Sequence, residues 1–195
     1  MLKTNTKAPD FKLPSTSKDK YSLKDSIGKY VVIYFYPKDD TPGCTIETND
    51  FNKLLSKFKK LECEVYGISK DNLKSHDKFR DKYKIKFDLL ADEELTVLKK
   101  YKVWGKKKFM GREFMGIIRT TFLIDKKGKI INVWEEHVKS AMSSGGAPPN
   151  CAHAENYARL LNRKLEVHED EDGIASDYDT NYGEGVGGSE ENDDW

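Results

Sequence analysis

Residues 29–36 read KYVVIYFY, and a run of this kind leaves a chain few choices. Its β-branched and aromatic side chains favour a strand, and no polar residue alternates with them from Val31 onward. A strand that is apolar on both sides must be covered on both faces, as happens in a largely parallel sheet. At six residues, Val31–Tyr36 is too short to cross a bilayer. The covering layers therefore have to come from the rest of the chain.

The sequence on either side supplies them. Phe51, Leu54, Leu55 and Phe58 recur at i, i+3, i+4, i+7, the pattern of a helix with one apolar face. CEVYGIS (Cys63–Ser69) predicts a second strand, and DNLKSHDKFRDKY a helix with Leu73, His76, Phe79 and Tyr83 on one side. FDLLAD predicts a short third strand and EELTVLKKYKV another helix. GIIRTTFLID, the turn KKG and KIINVW together predict a β-hairpin. Residues 1–29, with Pro9 and Pro14 between isolated apolar positions, predict a loop-rich lead-in. Alternation of strand and helix gives an α/β chain with a partly parallel sheet, and the terminal hairpin adds antiparallel strands. That order suits a thioredoxin-like fold, a mixed central sheet flanked by helices, better than a doubly wound one.

After Ser140 the character changes. AMSSGGAPPNCA, within about 140–152, reads as a loop, and HAENYARLLNRKL, about 153–165, regains helical spacing. Residues 1–165 are expected to form one domain. Residues 166–195 hold 12 acidic residues, no Lys or Arg and few aliphatics, the composition of a disordered tail. The net charge of +1 therefore hides a body in which 34 basic residues face 21 acidic ones, about +13. The excess is scattered lysine on predicted helices, which describes a solvated surface and not a nucleic-acid footprint. The N-terminal MLKTNTKAPDFKL has no apolar core of a signal peptide, and three scattered cysteines make no disulfide framework. The expectation is a soluble, reduced, cytoplasmic protein with no membrane or nucleic-acid partner.

One of those cysteines is placed for chemistry. Thr41 suits an N-cap and Pro42 the first helical position, so Cys44 falls in the first turn of the helix after KYVVIYFY. Unpaired N–H groups and the helix dipole favour negative charge there, and cysteines at helix starts have lowered pKa values. A thiolate is a nucleophile; an inert buried cysteine would not need this setting.

The segment PKDDTPGC (Pro37–Cys44) matches P-x-x-x-T-x-x-C, and the sequence resembles the peroxiredoxins. FYPKDDTPGCTIETNDF and YKVWGKKKFMGREFMGIIRTTFLID (Tyr101–Asp125) are similar to the bacterioferritin comigratory protein, or peroxiredoxin Q, subfamily. APDFKLP and VYGISKD agree, so the resemblance covers roughly residues 3–139. It implies a thioredoxin-like fold and a peroxidase that reduces hydrogen peroxide and organic hydroperoxides through a sulfenic acid at Cys44. Thioredoxin or another small thiol would recycle it, without metal, haem, flavin or other cofactor, in a monomer or weak dimer. By position the resemblance makes Cys44 the peroxidatic nucleophile, Thr41 the hydroxyl that orients the peroxide and Arg119 the guanidinium of the site. Pro37 and Gly43 would shape the substrate pocket.

Many relatives carry a resolving cysteine five residues after the peroxidatic one, where this chain has Asn49, or in a later helix, where it has none. Cys63 reads as a small buried residue at a strand start. Cys151, in the loop before the last helix, is the candidate resolving thiol, the alternative being an external one. His76, His137, His153 and His168 have no ligand spacing, so no metal site is expected. Two other functions compete. A disulfide oxidoreductase would want C-x-x-C, but Ile46 and Glu47 follow Cys44 and Thr45. A thioredoxin-fold binding or holdase module would not depend on Cys44 at all.

Overall fold

The structure, a computed structural model, describes residues 2–109, residues 111–135 and Arg163. The expected loop at 140–152, with Cys151, lies outside the described residues. So do the helix expected at 153–165, Arg163 apart, and the acidic tail.

The chain opens with strands β1 (Lys12–Pro14) and β2 (Lys20–Ser22), an antiparallel pair, and a 3-10 turn over Leu23–Ser26. Strand β3 (Tyr30–Phe35) leads to helix α1 (Pro42–Lys60), β4 (Cys63–Ser69), α2 (Leu73–Tyr83), β5 (Asp88–Ala91) and the short α3 (Thr96–Lys100). Then come β6 (Trp104–Phe109), β7 (Arg112–Ile117), β8 (Thr120–Ile124) and β9 (Ile130–Glu135). Five strands form the central sheet in the order β5-β4-β3-β8-β9. Parallel pairing joins β3 to β4 and β4 to β5, while β8 runs antiparallel to both β3 and β9.

All six residues of β3 are buried, and their alternation divides them between two cores. Val32 and Tyr34, with Tyr36 just beyond, pack beneath α1 and α2 with Phe51, Leu55, Phe58 and Phe79. Val31, Ile33 and Phe35 face Phe11, Leu13 and Tyr21 of the N-terminal hairpin, Leu98 of α3, and Tyr101. The sheet is thus flanked by helices on one face and by α3 with the hairpin on the other, a thioredoxin-like α/β fold. Close packing extends to Gly67 on β4. A Cβ there would meet the Tyr34 Oη at 2.6 Å and Leu89 Cδ2 at 2.8 Å, so only glycine fits beneath the phenol.

Two expectations need correction. The lead-in before residue 29 contains the β1–β2 hairpin, whose three-residue strands are too short to show a period. The stretch beginning at Gly116 is not one strand. Strands β6 and β7 instead pair with each other as a separate antiparallel ribbon, from Trp104↔Ile117 to Phe109↔Arg112. The chain breaks at Ile118–Arg119, where the Ile118 N–H donates to the Val103 carbonyl, before β8 joins the main sheet. Arg119 therefore lies between strands and not within one.

Candidate active site

The site grows from the carboxyl end of β3. There the chain leaves the sheet through Pro37–Thr41 and turns into α1, so the helix start stands over the strand ends. Thr41 occupies the N-cap with extended backbone (φ −94°, ψ 149°), and Pro42 follows at the first helical position. The first helical hydrogen bond runs from the Thr45 N–H to the Thr41 carbonyl at 2.8 Å. The N–H groups of Gly43 and Cys44 lie ahead of it and have no helical carbonyl behind them. As expected, Cys44 falls in the first turn; it is 2% exposed.

The Thr41 side chain differs from the expectation. Its hydroxyl does not cap the helix but donates to the Lys38 carbonyl at 3.0 Å, closing the turn that precedes α1. Pro37 and Gly43 are half-buried at the two ends of this segment.

Arg119 arrives from 75 residues away. Because Phe35 pairs with Thr120, the residue before β8 is brought to the same sheet end as the start of α1. Its Nη2 donates to the Cys44 Sγ at 3.3 Å, and its Nη1 is ion-paired with Glu47 Oε2. Glu47 is one turn after Cys44 on α1, so one face of the helix presents a thiol and a carboxylate to one guanidinium. Sequence reasoning gave Glu47 no role; the i, i+3 spacing from Cys44 was the available signal. Deeper in, Tyr34 shares a 3.0 Å hydrogen bond with Thr48 Oγ1. Burial first, and then the nearby Glu47 and Cys44 charges, push its phenol well above its ordinary range.

Cys63 is brought nowhere near this cluster. It pairs with Tyr30, at the opposite end of β3 from the Cys44 turn. The intervening length of strand is roughly 17–20 Å, and a disulfide needs Cα atoms within about 7 Å. Burial pushes its thiol up to about 12. Among the described residues no three His, Cys, Asp or Glu side chains are grouped to hold a metal ion. No described helix is long and apolar enough to cross a membrane.

A thioredoxin-like sheet with a cysteine at a helix start, a guanidinium on its sulfur and no second cysteine in that turn defines a class, the thiol peroxidases. The chain matches the AhpC/TSA family over residues 4–133. It is 41% identical over 148 residues to the peroxiredoxin Bcp of Bacillus subtilis, covering 73% of this chain and 94% of that one. With the peroxiredoxin Bcp of Escherichia coli K12 it shares 40% identity over 135 residues, 69% and 86% of the two chains. The structure is similar to that of the bacterioferritin comigratory protein of Xanthomonas campestris, described for its alkyl peroxide reduction activity. The TM-score is 0.68 at 32% identity, over 80% of this chain and 92% of that one. The chain belongs to the AhpC/TSA family and, within it, to the peroxiredoxins; it is a thiol-dependent peroxidase.

Proposed function

We propose that Cys44 is the peroxidatic nucleophile and that it reduces hydrogen peroxide and organic hydroperoxides. The observation that carries this reading is the 3.3 Å contact from Arg119 Nη2 to the Cys44 sulfur. Through that contact a fixed positive charge with hydrogen-bond donors faces the sulfur and any oxygen that approaches it. The thiolate attacks the terminal oxygen of ROOH. An S–O bond forms as the O–O bond breaks, and RO⁻ leaves and takes up a proton to give water or an alcohol. Sulfur is oxidised to Cys–SOH by two electrons and the peroxide is reduced by the same two.

Each neighbour has work in that step. Arg119 donors can face the oxygen on which negative charge grows. The Cys44 N–H can hold the peroxide at the helix start. The Thr41 hydroxyl has committed its proton to the Lys38 carbonyl, which leaves its oxygen as an acceptor for the O–H of the peroxide. Pro37 and Gly43 shape the approach.

The sulfenic acid then condenses with a second thiol, releasing water and leaving a disulfide that a dithiol reductant of the thioredoxin kind returns to two thiols. Because Cys63 is a strand length away, that second thiol is either external or Cys151. A reducing compartment such as the cytoplasm suits this cycle, and a monomer suffices for it.

Stopped-flow peroxide consumption by wild type and by the Cys44→Ser and Cys151→Ser variants tests the reading. Cys44→Ser should abolish consumption beyond the buffer rate. Unchanged turnover of Cys151→Ser with thioredoxin would assign resolution to the external thiol, and loss of turnover after one cycle would assign it to Cys151. Peroxide consumption surviving in Cys44→Ser would overturn the proposal in favour of a binding module.

A further inference from the structure

Asp39 stands two residues before Thr41 and is 6% exposed. Its carboxylate is enclosed by donors. Tyr36 Oη donates to Oδ1 at 2.7 Å and Ser75 Oγ to Oδ2 at 2.7 Å, and His76 Nδ1 lies 3.1 and 2.9 Å from the two oxygens. Its backbone N–H donates to Asp71 Oδ2 at 2.8 Å, and Asp71 in turn accepts from Ser69 Oγ at 2.8 Å. The loop that delivers Thr41 to the helix is therefore tied inward, to α2 and to the end of β4.

His76 is the centre of this arrangement and is fully buried. Its Nε2 lies 3.2 Å from the Leu90 carbonyl oxygen on β5. A carbonyl only accepts, so Nε2 carries a hydrogen. An ionised carboxylate also only accepts, and both of its oxygens lie within hydrogen-bond reach of Nδ1. The ring is then a polar bridge between β5 and the loop, a costly group to bury when an apolar side chain would fill the space. What a bridge of fixed donors provides, and an apolar filler does not, is one position for Asp39. A second tie lies outside it. Asp40, at φ +55°, accepts from Lys82 Nζ at 2.7 and 2.9 Å and from Tyr83 Oη at 2.6 Å, again on α2.

We propose that His76 is a positioning residue for the peroxide step: by holding Asp39 against β5 it fixes the turn Pro37–Thr41, and with it the Thr41 hydroxyl. This rests on the roles given above to Cys44 and Thr41. Released from Asp39, the turn can rotate while the sulfur, held by α1 and Arg119, stays in place.

That separation supplies the test. Reaction with peroxide uses the sulfur and the turn, whereas alkylation by iodoacetamide uses the sulfur alone. Both second-order rate constants are measured at Cys44 in the folded His76→Asn variant. The peroxide rate should fall about tenfold to a hundredfold, the range that an ångström of misplacement produces, while alkylation stays within about twofold of wild type. A peroxide rate within twofold of wild type overturns the proposal, and so does a parallel fall in both rates. If His76→Asn does not fold, Ser75→Ala decides by the same two rates, with a severalfold loss expected in the peroxide step alone. Failure of the Cys44 reading would show separately, as peroxide consumption by Cys44→Ser.

Discussion

Glu47 and Arg119 hold opposite charges with side chains only 8% and 13% exposed. Stripping two ions of water costs several kcal/mol, and their attraction only partly offsets it. The pairing is better understood through what it does for the guanidinium. A long side chain next to a sulfur can take many rotamers, and a carboxylate on the other nitrogen selects the one that aims Nη2 at Cys44. Glu47→Ala should therefore lower the peroxide rate constant about tenfold or more, even though it leaves the sulfur in a more positive field. Stopped-flow measurement on that variant decides between aim and charge. A rate equal to or above that of wild type would show that net charge dominates.

At the scale of elements, the turn before α1 and helix α2 behave as one unit, with Asp39 as the joint. Burial by itself would raise the Asp39 carboxyl. The hydrogen bonds from His76, Tyr36 and Ser75 and the imidazole charge outweigh it, and the group is held below its ordinary 3.8. A carboxyl depressed in the folded state adds stability above its unfolded value and loses it as pH falls through the folded one. Denaturant midpoints should thus hold down to about pH 4 and decline below it, and Asp39→Asn should flatten that decline. An equal slope in both proteins would remove Asp39 from the account. The elements themselves were unevenly visible. CEVYGIS became β4 with both ends as read, because a buried strand announces itself by composition. The β1–β2 hairpin and the β6–β7 ribbon did not. The first is too short for periodicity, and the second has an exposed lysine-rich edge that no core pattern marks.

At the scale of the whole molecule, the fold keeps its two described thiols apart. Cys44 sits at the carboxyl end of the sheet beside a cation, and Cys63 at the other end in an apolar layer, 2% exposed, with burial holding its proton up to about 12. In the native protein at neutral pH, iodoacetamide followed by mass spectrometry should label Cys44 rapidly. Cys63 should be labelled only as fast as the molecule unfolds. Prompt native-state labelling of Cys63 would show that this end of the sheet opens far more readily than its packing implies.

What the chain's order of residues settled unaided was local in origin: a strand buried on both faces, a helix begun by Thr-Pro, and a cysteine in its first turn. These follow from short-range sterics, from hydrogen bonding and from the pattern of apolar side chains. Contacts between distant residues were beyond its reach. The antiparallel pairing of β3 with β8 carries Arg119 to the sulfur, Glu47 gains its meaning only once that guanidinium arrives, and His76 becomes more than one residue on a helix face only where Asp39 and Leu90 close on its two nitrogens. Each depends on where the backbone returns in space, and no local preference encodes that.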